Sequence, residues 1–167
     1  MNIDGVIYLD HLATTPCDAR VAEAMMPYFN ERFGNPSSAY HALGRAAARA
    51  IDAARESVAA LVDCPPEGVT FTSGATESNN LALFGVARGL GRHRRKIVTS
   101  AVEHKSVLLA AQQLAVEGWE VVVLPVDGQG RVRLDAAQAA IDHHTLLVSV
   151  QAANNETGTI QPVAEIA

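Results

Sequence analysis

At 167 residues with 49% hydrophobic content, the chain is long enough for one domain with a real core. A formal net charge of −5 gives no broad basic field, and the single basic run, Arg92-His93-Arg94-Arg95-Lys96, is too short to argue for nucleic acid. No apolar run is long enough to span a bilayer, and no signal peptide or low-complexity linker is visible, so a soluble cytoplasmic protein is expected.

In chain order, Tyr8-Leu9-Asp10 reads as a short strand. Residues 18–30 read as a helix whose last turn is distorted by Pro27. Gly34 and Pro36 make residues 33–38 a loop. Leu43, Ala47, Ala50, Ile51, Ala54, Val58, Leu61 and Val62 then recur at three- and four-residue spacing, predicting a long helix with one apolar face over residues 41–62. Four Val- and Ile-containing strands follow, at residues 69–72, 97–100, 121–124 and 146–150. Helices lie between them at about residues 76–88, 106–116 and 134–141, with turns at Gly118, Gly128 and Gly130. This alternation predicts an α/β fold, a mostly parallel sheet with flanking helices and buried strands. A last helix starts at Pro162 and stops after about one and a half turns, so the chain is expected to be part of something longer.

Polar residues cluster at three strand ends, where open α/β sheets place their ligands. The first is Thr72-Ser73-Gly74-Ala75-Thr76-Glu77-Ser78, a turn opening a helix. Such a turn aims unpaired N–H groups and the positive helix end at one point, which suits a phosphate; a helix capped by Ser73 or Thr72 with nothing bound is the other reading. The second is Glu103-His104 and the third Asn154-Asn155-Glu156-Thr157-Gly158. Imidazole has a flat face and exchanges protons near neutral pH, and an amide donates and accepts without charge. From the residues alone, His104 also reads as a polar helix start and Asn155 as a turn residue.

Together with Tyr8-Leu9-Asp10-His11, Ala13-Thr14-Thr15-Pro16 and Phe33-Gly34-Asn35-Pro36-Ser37-Ser38, these clusters resemble the N-terminal half of cysteine desulfurases of the NifS/IscS type, pyridoxal 5′-phosphate (PLP) enzymes of the class V aminotransferase superfamily. The resemblance runs collinearly over essentially the whole chain, and its Asn-Asn-Glu-x-Gly form points to the housekeeping and nitrogen-fixation branch. It implies part of a fold type I large domain over residues 16–167, with residues 1–15 belonging to the small domain. It also implies that the backbone at Ala75 and Thr76, with the Thr76 hydroxyl, holds the PLP phosphate. By the same resemblance His104 lies over the pyridine ring and is catalytic in proton transfer, and Asn155 contacts the cofactor's phenolic oxygen and the substrate carboxylate. L-cysteine is the implied substrate, L-alanine and transferred sulfur the products, and an iron–sulfur scaffold protein a partner. Leu12 departs from the pattern, standing where a small residue is expected.

Other parts that the resemblance implies are absent from these 167 residues. The chain has only two lysines, Lys96 and Lys105, and neither matches the family's cofactor lysine; both are expected to be solvated. Cys17 and Cys64 do not match the persulfide-forming cysteine and, lacking a C-x-x-C spacing, suggest neither a disulfide nor a zinc site. The histidines are scattered except for the adjacent His143-His144, so no metal is expected. Two functions follow. The chain is the phosphate-binding part of a desulfurase, inactive without a C-terminal half or homo-oligomer partner, or it is a non-catalytic truncated homologue serving interaction or dimerisation.

Overall fold

The structure, a computed structural model, describes residues 2–3, 5–91 and 93–167. It divides into two units, Met1–Phe71 and Thr72–Ala167.

In the first unit, β1 (Asn2–Ile3) pairs antiparallel with β2 (Val6–Ile7). The strand expected at Tyr8-Leu9-Asp10 is instead the entry to a turn. Asp10 C=O accepts the Ala13 N–H at 3.2 Å, and the Tyr8 hydroxyl lies 2.7 Å from Asp10 C=O and 3.1 Å from Thr14 C=O. The helix expected over residues 18–30 is two helices, α1 (Ala19–Met25) and α2 (Pro27–Asn30). Pro27 explains the break, because it has no N–H to continue the ladder and fits the first position of a new helix. Asp18 caps α1 by accepting the Arg20 N–H at 2.9 Å.

Helix α3 (Ala42–Leu61) is capped by His41, whose Nδ1 accepts the Gly44 N–H at 3.0 Å. Gly44 is buried, and a Cβ there would collide with the Ser38 carbonyl, so the 33–38 loop lies against the helix start. A 3₁₀ turn, Pro66–Gly68, follows. Val69, the first residue of the β-branched run at 69–72, is extended, at φ −94° and ψ 122°. The run at 69–72 is not a strand, because no ladder partner stands beside it among the described residues.

The second unit opens with α4 (Ala75–Leu90) and then alternates β3 (Lys96–Ser100), α5 (Lys105–Val116), β4 (Glu120–Leu124), α6 (Leu134–Ala140), β5 (Thr145–Ser149) and α7 (Val163–Ile166). The strands form a parallel sheet in the order β4-β3-β5, one strand short of the four expected. Every residue of central β3 is buried. On one face Ile97 meets Leu83 and Ala87 of α4, Val107, Ala110, Ala111 and Leu114 of α5, and Trp119; on the other Val98 packs with Leu124, Val132 and Ala137. Gly91 admits Trp119 at this core, since a Cβ there would overlap the indole.

Lys96 corrects the expectation of a solvated connector. It is only 7% exposed, and its Nζ lies 3.1 Å from Asp142 Oδ2 and 3.5 Å from Glu120 Oε1. The hydrogen bond to Asp142 holds the Lys96 ammonium above its ordinary pKa and the Asp142 carboxyl below its own. Its stem is buried while its head stays paired. Lys105 is exposed, as expected, and Arg92 of the basic run lies outside the described residues.

Candidate functional site

The three polar clusters all belong to the second unit. At the first, Gly74 is the N-cap of α4 and no side chain caps the helix. Ser73 does not serve as a cap: its N–H and hydroxyl both donate to Glu77 Oε2, at 2.7 and 2.6 Å. Those two bonds, the hydroxyl's first, hold the Glu77 carboxyl below its ordinary pKa. Thr72 is likewise engaged, with its Oγ1 2.7 Å from Ser78 Oγ. The N–H groups at Ala75 and Thr76 therefore start a sixteen-residue helix without a side-chain acceptor. Thr76 is exposed, and the space around Gly74 is open to at least 4 Å where a Cβ would stand.

His104 is the N-cap of α5 and is exposed. Its Nδ1 accepts the Ser106 N–H at 3.2 Å and lies 2.8 Å from Ser106 Oγ, which accepts from Asn79 Nδ2 of α4 at 2.8 Å. The start of α5 is thus tied to the second turn of α4.

Asn154 and Asn155 do different work. Asn154 is 9% exposed and its Oδ1 accepts the Glu156 N–H, the Thr157 N–H and the Thr157 hydroxyl, at 2.9, 2.9 and 3.2 Å. Its Nδ2 donates to Val102 C=O at 3.1 Å. The turn closes at Gly158, where φ of 73° suits glycine. Asn155 is left exposed at the tip, with Nδ2 donating to Glu156 Oε1 at 2.8 Å. Glu103 completes the link: its Oε1 accepts the Ser100 hydroxyl and the Gln151 N–H, both at 2.7 Å, joining the ends of β3 and β5. Hydrogen bonds therefore connect the start of α5 to α4, and the loop before His104 to the Asn155 turn.

Asn79, Glu103, Ser106, Gln151 and Asn154 were not singled out by sequence reasoning for these supporting roles. The doubled Asn154-Asn155 was visible, but nothing local says which of the two is buried.

Two cavities lie elsewhere. One of about 480 Å³ is lined by Leu134, Ala137, Gln138, Ile141, Glu165 and Ile166, and an apolar one of about 400 Å³ in the first unit includes Tyr28, Phe33, Ile51 and Phe71. Neither gathers the polar clusters. Cys17 and Cys64 are free thiols. No group of three or more metal-ligating side chains stands together among the described residues, and no helix among them is long and apolar enough to cross a membrane.

Comparison with known proteins matches residues 7–167 to the aminotransferase class-V family. Among curated proteins, the cysteine desulfurase IscS of Rickettsia akari is 48% identical over 165 residues, covering 99% of this chain and 40% of that protein. Among solved structures, a NifS-like protein superposes with a TM-score of 0.91 at 43% identity, over 96% of this chain and 44% of that one. A structure described as SspA in complex with cysteine gives a TM-score of 0.86 at 37% identity, over 95% and 46%. The chain thus spans about 40% of the length of the curated relatives it matches.

Proposed function

The chain belongs to the class-V aminotransferase family, and from that premise we propose that its second unit carries the phosphate-holding end of a PLP-dependent cysteine desulfurase site. The observation that carries the proposal is the uncapped start of α4, a helix tied through Asn79 and Ser106 to His104, while the loop just before His104 is tied to the Asn155 turn. These residues fit the cofactor. The N–H groups of Ala75 and Thr76 and the Thr76 hydroxyl supply donors for a dianionic phosphate, and the helix dipole adds to them. His104, exposed at the start of α5, supplies a ring face and a proton-exchanging nitrogen, and Asn155 an uncharged amide for a phenolic or carboxylate oxygen. When bound, PLP supplies the electron sink that lets bonds at the substrate's α-carbon and sulfur be rearranged.

L-cysteine is the proposed substrate, with L-alanine and transferred sulfur as products, iron–sulfur assembly as the destination and the cytoplasm as the compartment. Residues 1–15 are assigned to the small domain and residues 16–167 to the large one. Neither lysine suits covalent attachment. Lys96 opens β3, about 13 Å along the strand from the end where the clusters gather, and its ammonium is held in ion pairs. Lys105 follows His104 but is exposed. The activity therefore needs a C-terminal half or a partner chain.

A second reading, a non-catalytic interaction or dimerisation module, draws on the first unit. Among its described residues only Gly44 and Ala59 are buried, while Phe29, Phe33 and Tyr40 are exposed.

Spectroscopic titration with PLP tests the first reading. Thr76→Val keeps shape but removes a donor to a charged group, and is expected to weaken binding by about 1–3 kcal/mol. Unchanged affinity would place the phosphate elsewhere.

A further inference from the structure

One backbone group sets the directions of the hydrogen-bond chain at the start of α5. The Ser106 N–H can only donate, and it points at His104 Nδ1 from 3.2 Å, so Nδ1 presents a lone pair. Ser106 Oγ, 2.8 Å from the same nitrogen, then donates its single proton there too. That leaves the hydroxyl's lone pairs for Asn79 Nδ2 at 2.8 Å, which orients the Asn79 amide as well. We infer that Asn79 and Ser106 are positioning residues that hold His104 in the tautomer carrying its proton on Nε2.

The inference rests on the proposed role of His104 at the cofactor. A capping role alone requires only the bond from the Ser106 N–H; the hydroxyl and the amide add nothing to the cap. Their effect is to refer the imidazole to α4. Asn79 lies three residues after Thr76, on the same face of that helix, so the phosphate donors and the histidine ring are aligned by one rigid element. Nε2 then stands ready as a donor at the ring edge away from Ser106, and the ring plane is set before any ligand arrives.

The test is nitrogen NMR of the ¹⁵N-histidine-labelled, cofactor-free protein, which distinguishes protonated from bare ring nitrogens. His104 is expected to show a bare Nδ1 and a protonated Nε2. Asn79→Asp keeps the shape but accepts the Ser106 proton, so the reversed hydroxyl presents a lone pair to Nδ1 and a signal from the Nδ1-protonated form should appear. Ser106→Ala should move the ratio less, since the backbone N–H remains. The signals of the other five histidines report folding, and if Asn79→Asp disturbs them Ser106→Ala decides. A wild-type ring protonated at Nδ1, or one unchanged ratio in wild type and folded variants, overturns the inference. Because no cofactor is present, that result leaves the PLP proposal standing, whereas unchanged PLP affinity in Thr76→Val overturns the latter alone.

Discussion

Residues 72–167 and residues 1–71 have similar apolar patterning and very different packing. In the second unit a three-stranded sheet gives helices on both faces something to cover, and Ile97, Val98, Leu114 and Leu124 are at most 1% exposed. In the first, α3 carries an apolar stripe, yet Leu43, Val58 and Leu61 on it are exposed, as is Val62 just beyond its end. Amphipathic periodicity shows which face of a helix seeks burial; only a facing surface supplies the free energy. The candidate site is built on the unit with the buried central strand, which suits a constellation whose geometry depends on fixed supports.

The largest expected contrast is between two leucines. Leu114→Ala should cost about 2–5 kcal/mol in chemical denaturation, because a fully buried side chain leaves a cavity among Ile97, Val107 and Trp119. Leu61→Ala, at a residue 84% exposed, should stay within about 0.5 kcal/mol. Comparable losses at both would erase the distinction between the units. Next in size is Gly91→Ala, which overpacks the Trp119 contact and should cost about 1–3 kcal/mol, with a shifted tryptophan fluorescence. A neutral result would mean that Gly91 has room that the packing denies it.

A smaller effect lies in pH. The depressed Asp142 carboxyl contributes stability that is present above its ordinary value of 3.8 and is lost as pH falls through its lower folded value. The raised Lys96 contributes below its ordinary 10.5 and loses its share as pH rises through its higher folded value. Asp142→Asn should therefore flatten the acid limb below about pH 3.8 in a denaturation-midpoint series, with little change in the m-value. An unaltered acid limb would mean that the pair contributes nothing.

The smallest expected signal concerns the lysines. Borohydride reduction of the 167-residue chain with PLP, followed by peptide mass mapping, should give no stoichiometric pyridoxyl adduct on Lys96 or Lys105, and no sulfide from cysteine beyond that produced by free PLP. A full adduct on Lys105 with turnover would show that the chain holds a complete site.

Much of the second unit was legible because its signals are local. Val- and Ile-rich strands and Ala-rich helices appear within a residue or two of their expected limits; the short run at residues 69–72 does not become a strand because pairing depends on a neighbour that composition cannot supply. Lys96 was misjudged for the same reason, since Asp142, 46 residues away, decides its environment. At the candidate site, the polar clusters holding Ala75, Thr76, His104 and Asn155 stood out at the expected strand ends, and the family resemblance singled out those four residues within them. Their supports did not: the Asn79 bond to Ser106 spans 27 residues, and the Asn154 bond to Val102 spans 52.

The central claim is that PLP binds at the start of α4, between elements held together by those long-range bonds. Amide and side-chain chemical-shift mapping during a PLP titration tests it most directly. The account predicts the largest, saturable shifts at Ala75, Thr76, His104 and Asn155, with residues 1–71 little changed. Shifts centred on the Leu134–Ile166 cavity, or scattered over exposed lysines without saturation, would contradict it.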